Sequence, residues 1–161
     1  MTAKVTVFIA TSLDGFIARS DGSLDWLDDA NQTVPDGEDC GYASFIQSVD
    51  VLVMGRNTYE TVRSFGDWPY GDLPVVVLSS GTIQIPDQLP ACVQHSSESP
   101  LDLIQRLSAG GATHLYVDGG KTIRQFLAEG LVDELIITTI PTLLGDGIPL
   151  FGPLPAEITL K

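Results

Sequence analysis

Apolar residues along the chain form short runs rich in β-branched side chains, separated by segments with a helical repeat. Continuous runs of this length are typical of strands buried on both faces of a parallel sheet. They predict strands over 4–10, 51–54, 75–78, 92–95, 115–118, 134–140 and 158–161. The repeat predicts helices over 39–49, 59–64, 100–109 and from 121 to just before 130. Strands alternating with helices indicate a single α/β domain over residues 1–161, with a mainly parallel central sheet flanked by helices.

Polar segments containing glycine or proline separate these elements. Residues 11–18 include the turn formers Asp14 and Gly15 and predict a loop that crosses the end of the sheet. Residues 20–38 are polar and acidic, and they are the most loop-like part of the chain. Trp26 within them either closes over a ligand as a lid or anchors the loop to the core, and the sequence leaves both interpretations open.

The charge balance limits the partners that the protein can have. With 21 acidic against 8 basic residues, the net charge is -13, so most of the surface repels nucleic acid. No apolar run approaches the roughly 18 residues of a membrane span, and the N-terminus shows no export signal, so we expect a cytoplasmic protein. Cys40 and Cys92 are isolated, which argues against a disulfide framework and a metal site.

The stretch LYVDGGKTIRQF (Leu115 to Phe126) predicts a strand, a tight turn at Gly119 and Gly120, and a helix start. Such a junction binds anions, because the first amides of a helix lack internal partners and carry the positive end of the dipole. The letters GGKT suggest a P-loop, but that pattern needs a glycine at position 115, which is leucine. A dinucleotide fingerprint fails because the third glycine is missing. A turn that binds nothing remains the alternative.

Two further strand ends carry similar chemistry. Arg56 follows Gly55 where a strand becomes a helix, and a guanidinium there can grip a phosphate. Ser79 and Ser80 end another strand and suit hydrogen bonds to a nucleotide. Each feature alone is more often a surface arginine or an ordinary turn. Because ligands of open α/β sheets lie at the carboxyl ends of strands, the three ends together favour a nucleotide site.

Five motifs in order resemble a known family: SLDGFIA (12–18), VLVMGRNTYE (51–60), VVVLSS (75–80), LYVDGGKTI (115–123) and PTLLGDGIPLF (141–151). The sequence resembles dihydrofolate reductase-like proteins related to the reductase domain of bacterial riboflavin biosynthesis, the RibD C-terminal domain. The resemblance spans nearly the whole chain and implies a dihydrofolate reductase-like fold that binds NADPH and is often a homodimer. It implies cofactor contacts from Ala10, Ile17, Gly55, Arg56, Asn57, Thr58, Leu78, Ser79, Ser80, Asp118, Gly119, Gly120, Lys121, Thr122 and Ile123.

The resemblance also implies hydride transfer from the nicotinamide to a C=N or C=O carbon of a pterin-like or ribosylaminopyrimidine-like heterocycle. Dihydrofolate reductases engage the pterin with a carboxylate in the helix before the MGR strand, and an ungapped count reaches Asp39. Asp14 is the other candidate catalytic carboxylate. A helix-start role for Asp39 is the structural alternative.

Two departures from the family pattern leave the function open. The family usually continues with a strand hairpin, whereas this chain ends at Lys161, so we expect an incomplete sheet edge, a partner chain that covers it, or a truncated sequence. We recognise no substrate signature of the riboflavin enzymes. The alternatives to an NADPH-dependent reductase are a non-catalytic NADP(H)- or ligand-binding module with the same fold and a scaffold for dimer assembly.

Overall fold

The computed structural model describes residues 1–161 as a parallel sheet with helices on both faces. The strands are β1 (Lys4–Ser12), β2 (Phe16–Ala18), β3 (Val51–Gly55), β4 (Val75–Leu78), β5 (Val93–Ser96), β6 (His114–Asp118), β7 (Glu134–Ile140) and β8 (Ile148–Pro149). The helices are α1 (Asp25–Asn31), α2 (Tyr42–Gln47), α3 (Arg56–Ser64), α4 (Pro100–Ala109) and α5 (Gly120–Ala128).

Six strands form the main sheet in the order β5-β4-β3-β6-β1-β7, and every neighbouring pair is parallel. The carboxyl ends of β3 and β6 therefore meet at the centre of one edge, and β4 and β1 flank them. The fold class inferred from the alternating pattern is confirmed. This order also brings the three nucleotide-friendly strand ends side by side.

Each face of the sheet carries its own hydrophobic core. On one face, Val5, Val53 and Val117 pack with Leu103 of α4 and Phe126 of α5. The other face packs Leu52, Met54 and Tyr116 with Phe45 of α2 and Tyr59 of α3. Because both faces are covered, the strands need apolar residues at successive positions, which explains their unbroken hydrophobic runs.

Local signals explain where several helices begin. Ser99 caps α4 by accepting a hydrogen bond from the Asp102 amide at 3.2 Å, and Pro100 occupies the first turn, as the sequence predicts. Helix α3 starts at Arg56, three residues earlier than expected, because the chain turns into a helix directly after Gly55.

Three segments differ from the sequence-based expectation. Part of the acidic segment forms α1, because Trp26 is only 2% exposed and anchors it to the protein. The expected loop after β1 contains β2, which pairs antiparallel with β8 and forms a small second sheet. The strand expected over 158–161 is absent: Ile158 and Leu160 are exposed, and the outer edge of β7 has no partner strand. A short apolar run flanked by polar residues does not show whether a neighbouring strand is available to pair with it.

No helix combines the length and the hydropathy that a membrane crossing requires.

Candidate active site

A large cavity opens at the carboxyl edge of the sheet and has a volume of about 830 Å³. Volumes of a few hundred to a thousand cubic ångströms are typical of small-molecule and cofactor sites. The cavity runs along the ends of β1, β3, β4 and β6 and is bounded by α1, α2, α3 and α5. Residues from all three nucleotide-friendly strand ends line this one cavity.

The starts of α3 and α5 interlock in the floor of this cavity. A Cβ atom placed on Gly119 would lie 2.5 Å from Thr58 Oγ1, and one placed on Gly55 would lie 2.5 Å from Thr122 Oγ1. Each glycine therefore accommodates the threonine from the first turn of the other helix. Gly119 also has a φ of 97°, which favours glycine. The two helix starts are held at a fixed separation.

The first-turn residues of both helices line the cavity, and three cationic residues lie among its lining residues. Arg56, Lys121 and Arg124 contribute three of the chain's 8 basic residues to the lining, whereas Asp118 is its only carboxylate. Arg56 bonds Glu60 at 3.0 Å, and its Nη1 atom reaches the loop after β4, 3.4 Å from the Cβ position of Gly81. In a protein of net charge -13, this cavity gathers positive charge and is suited to an anion.

The small β2–β8 sheet packs directly against the start of α5 and forms part of the cavity wall. Ile17 presses against Gly120, whose Cβ position lies 2.9 Å from Ile17 Cδ1. Arg124 Nη1 donates to the Pro149 carbonyl at 3.0 Å, and the Leu150 amide donates to the Gly15 carbonyl at 3.0 Å. These bonds hold the wall against α5.

Another part of the cavity wall is an aromatic chamber, formed by Phe8, Tyr42, Tyr70, Tyr116 and Asp118. Phe8 and Tyr42 meet edge to face with ring centroids 5.8 Å apart. The Tyr116 hydroxyl donates to the Phe8 carbonyl at 3.1 Å, which holds the β6 side chain against β1. Aromatic walls of this kind suit a planar guest.

Asp118 is the single carboxylate of the aromatic chamber. Burial among protein atoms raises the pKa of Asp118 to about 6, and a hydrogen bond from the Gly119 amide at 2.9 Å opposes the rise. The side chain keeps partial contact with solvent, and it lines the cavity. Burial also raises the pKa of Tyr42, Tyr70 and Tyr116, and the charge of Asp118 adds to each increase. Asp118 can therefore hold a proton near neutral pH.

The structure brings together nearly all of the residues predicted to bind the cofactor. Every one of them except Ile123 lines the cavity. Ile123 is fully buried in the core beneath α5, and its amide bonds the Gly119 carbonyl at 2.8 Å, so neither its side chain nor its N–H faces a ligand. Contact of the remaining residues with a cofactor stays a prediction.

The structure does not bring the two predicted catalytic carboxylates to the cavity. Asp14 accepts the Ser12 hydroxyl at 2.6 Å and the Gly145 amide at 2.8 Å, and so ties the turn after β1 to the loop after β7. The Asp39 carboxylate accepts hydrogen bonds from the amides of Gly41 and Ala43 at 2.9 and 2.7 Å. It therefore has the helix-start role that the sequence left as the alternative. These bonds lower the pKa of both carboxyls and keep them charged. Both have structural roles.

Trp26 anchors its segment to the protein and does not close over the cavity. It is buried and lies outside the cavity lining, whereas its neighbours Leu24 and Leu27 line the cavity. Helix α1 thus contributes two leucines to the cavity wall while its tryptophan packs inward.

Sequence reasoning missed the tyrosines of the aromatic chamber and the interlocked helix starts. Strand periodicity places Tyr116 on the same face as Asp118, two residues later, which was the available signal for one of them. The interlock also has a signal, since Gly55 and Thr58 have the same spacing as Gly119 and Thr122.

The fold and the cavity define an α/β protein with a large cavity at the carboxyl edge of its sheet. The chain belongs to the RibD C-terminal domain family, which it matches over residues 3–161. Its mainly parallel sheet flanked by helices is the dihydrofolate reductase-like fold of that family.

Two Bacillus subtilis (strain 168) proteins are similar in sequence. The uncharacterized protein YwjB is 37% identical over 164 residues, covering 100% of this chain and 90% of its own. The uncharacterized protein YyaP is 25% identical over 174 residues, covering 98% and 85%.

Solved structures give the same answer for the fold. A Shewanella sp. PV-4 protein, named as a candidate riboflavin biosynthesis protein, has a TM-score of 0.89 and 46% identity, covering 99% of this chain and 88% of its own. A Thermotoga maritima diaminohydroxyphosphoribosylaminopyrimidine deaminase/5-amino-6-(5-phosphoribosylamino)uracil reductase has a TM-score of 0.69 at 16% identity. This chain spans 51% of that protein, and the likeness shows the fold alone.

Proposed function

We propose that the protein is an NADPH-dependent reductase that transfers hydride to a pterin-like or ribosylaminopyrimidine-like heterocycle. One observation carries the proposal: a single cavity connects two helix starts suited to phosphates with a protonatable carboxyl, Asp118, in an aromatic chamber. Membership of the RibD C-terminal domain family supports this proposal. The name of the Thermotoga protein, which shares the fold and is named as a reductase, agrees with it.

The residues present fit the proposed cofactor. The helix starts at Arg56 and Gly120 offer amides for a pyrophosphate, and the concentration of cations at the cavity offsets its charge. Arg56 would hold the additional phosphate of NADPH beside the β4 loop, where Ser79 and Ser80 would face the adenosine. Ala10 and Ile17 would flank the nicotinamide.

Bound NADPH would supply the hydride and both electrons for the reduction of a C=N or C=O bond. The protein's own tasks are to align the substrate and to deliver one proton to the nitrogen or oxygen of that bond. Asp118 is the group suited to this task, since its raised pKa leaves part of the population protonated near pH 6. The resulting carboxylate would regain its proton from solvent through the cavity mouth.

A direct experiment follows NADPH oxidation by absorbance at pH 6 with a panel that includes dihydrofolate and ribosylaminopyrimidine. We expect turnover with at least one compound and a loss of about a hundredfold or more in Asp118→Asn, the usual size of a general-acid contribution. NADPH affinity should be retained in the variant. Turnover that is unchanged in Asp118→Asn would remove the proton-delivery role.

A non-catalytic NADP(H)-binding module is the second candidate function. It is favoured by the positions of Asp14 and Asp39, which leave Asp118 as the one carboxylate at the cavity. Nicotinamide fluorescence during NADPH titration, combined with the oxidation assay, separates the candidates. Saturable binding with no oxidation supports the module, whereas no binding at high micromolar NADPH contradicts both and leaves the dimer scaffold.

A homodimer is proposed on the basis of the unpaired edge of β7. This strand pairs with β1 alone and exposes Ile137, and the neighbouring Leu13 and Leu143 are 61% and 70% exposed. Such an edge favours association with a second strand. Light scattering should give about twice the 17.2 kDa chain mass, and Ile137→Lys should restore the monomer.

A further inference from the structure

The turn that follows β4 lies beside Arg56 at the cavity. Ser79 and Ser80 line the cavity, and Gly81 follows them in the chain. The Arg56 Nη1 atom lies 3.4 Å from the Cβ position of Gly81, so the guanidinium packs against this turn. Because Arg56 Nε also donates to the Glu60 carboxylate at 3.0 Å, the charged group is held between its own helix and the turn. The position of the turn therefore helps to set the position of the guanidinium.

Strand β5 holds this turn through both backbone groups of Ser79. The Ser79 amide donates to the Ser96 carbonyl at 2.9 Å, which continues the parallel pairing of β4 with β5. The Ser79 carbonyl accepts a hydrogen bond from the ring of His95 at 2.9 Å. Within the turn, the Gly81 amide donates to Ser79 Oγ at 3.3 Å. Three atoms of Ser79 are thus fixed, and one of these bonds depends on a side chain of β5.

His95 contacts the turn but not the cavity. A carbonyl oxygen only accepts hydrogen bonds, so the Nε2 atom of His95 carries the hydrogen that is donated to Ser79. His95 is exposed on β5, an edge strand of the sheet, and it lies outside the cavity lining. Because its side chain is exposed, packing of the core does not require a histidine at this position. Its specific contact is the bond to the turn.

We propose that His95 is a positioning residue for cofactor discrimination. By holding the Ser79 carbonyl, it fixes the turn against which the Arg56 guanidinium packs. A two-pronged contact between guanidinium and phosphate depends on the orientation of both groups, so a displaced turn would weaken it. His95 thereby favours the phosphorylated ribose of NADPH over the unphosphorylated ribose of NADH. This inference rests on the proposed reductase function, in which Arg56 holds that phosphate.

Nicotinamide fluorescence during titration with NADPH and with NADH tests the role of His95. His95→Leu removes the ring donor and should lower NADPH affinity about threefold to tenfold, the range expected for one hydrogen bond, with a change of less than about twofold for NADH. His95→Gln keeps an N–H donor and should restore most of the NADPH affinity. An unchanged preference for NADPH in His95→Leu would overturn the inference, as would an equal loss in His95→Gln.

Gln94→Leu is the matched control on the same strand. It also replaces an exposed polar residue of β5 by leucine, but its side chain points to the opposite face of the sheet and lies outside the cavity. The substitution should leave the preference for NADPH unchanged. Equal effects of Gln94→Leu and His95→Leu would point to a general weakening of β5 and would overturn the specific role of His95.

The Arg56→Ala background tests the route through the guanidinium. If His95 acts by positioning Arg56, the two substitutions are not additive, and adding His95→Leu should change the remaining preference by less than about twofold. The same loss of preference from His95→Leu with and without Arg56 would overturn this route.

Failure of the inference is distinguishable from failure of the proposed function. A wild-type preference for NADPH that His95→Leu retains overturns only the role of His95. Equal affinity of the wild type for NADPH and NADH overturns the roles of both Arg56 and His95 in discrimination but leaves a cofactor site. Absence of NADPH binding to the wild type overturns the reductase function, and the inference with it.

Discussion

The side-chain oxygen of Thr58 lies against Gly119, only 2.5 Å from the position that a Cβ atom on this glycine would take. This contact joins the start of α3 to the turn before α5. The reciprocal contact joins Thr122 to Gly55. A ligand that spans both helix starts would therefore meet two sets of amides at a separation that the protein has already fixed.

Gly119→Ala should damage this arrangement. The substitution combines an unfavourable φ of 97° with a clash against Thr58, so we expect a loss of about 2–4 kcal/mol in the free energy of unfolding. Gly130→Ala is the control, because Gly130 has a φ of 67° and open space around it, and it should cost about 1 kcal/mol. Urea unfolding measures both. Similar losses would show that the Thr58 contact is unimportant.

Arg56→Ala should selectively weaken binding of NADPH. Loss of a charge-assisted hydrogen bond to phosphate is worth about 1.5–3 kcal/mol, so NADPH affinity should fall about tenfold to a hundredfold. NADH affinity should change less than twofold. Arg63→Ala removes a charge from the same helix at a residue that stacks on Tyr59 and lies outside the cavity, and it should leave both affinities intact. An unchanged preference for NADPH in Arg56→Ala would exclude Arg56 from this role.

Asp118 should make the protein less stable as pH rises from about 4 to 6. Its folded-state pKa is about 6 against an ordinary 3.8, so the folded state binds more protons in this window. Asp118→Asn should therefore raise the free energy of unfolding by about 1–3 kcal/mol above pH 6 and leave it unchanged near pH 4, because each unit of pKa shift is worth about 1.4 kcal/mol. Thermal unfolding across this pH range measures the difference.

Asp50→Asn is the matched control for this experiment. Hydrogen bonds from the Thr113 amide and hydroxyl, at 2.7 and 2.8 Å, lower the pKa of Asp50. Its contribution is present above pH 4 and is lost as pH falls, so the substitution should destabilise the protein at neutral pH. A gain in stability for Asp50→Asn, or a loss for Asp118→Asn at pH 7, would contradict the assignments.

Asp14→Asn should lower the thermal unfolding temperature without changing NADPH affinity. The neutral amide weakens the bonds from Ser12 and Gly145 that connect two loops, and the residue lies outside the cavity. Because these bonds lower the pKa of Asp14, the difference from wild type should shrink as pH falls below its ordinary pKa. A selective loss of cofactor affinity would restore Asp14 as a site residue.

The part of the cavity formed by the starts of α3 and α5 could largely be predicted because its signals are local. A strand, a glycine and a helix start follow one another within a few residues at Gly55 and again at Gly119. Parallel pairing then brings both ends to one edge of the sheet, so correct assignment of the strands was sufficient.

The aromatic chamber could not be predicted in the same way. Tyr42, Tyr70 and Tyr116 come from a helix, a loop and a strand that are distant in sequence, and tyrosine on an apolar face also suits an ordinary core position. Asp39 shows the converse error. Alignment by counting placed a carboxylate in the helix before β3, but the shorter α2 begins at Tyr42 and leaves Asp39 at its start.

The most direct test of the central claim is an amide NMR titration of the 17.2 kDa protein with NADPH. We predict saturable shifts concentrated at Arg56 to Thr58, Ser79 to Ser80 and Gly119 to Thr122, with Ala10 and Ile17 also affected. The control surface around Gln105 on α4, which is not part of the cavity lining, should remain unchanged. Absence of shifts at millimolar NADPH, or shifts confined to other surfaces, would contradict a cofactor site at this edge of the sheet.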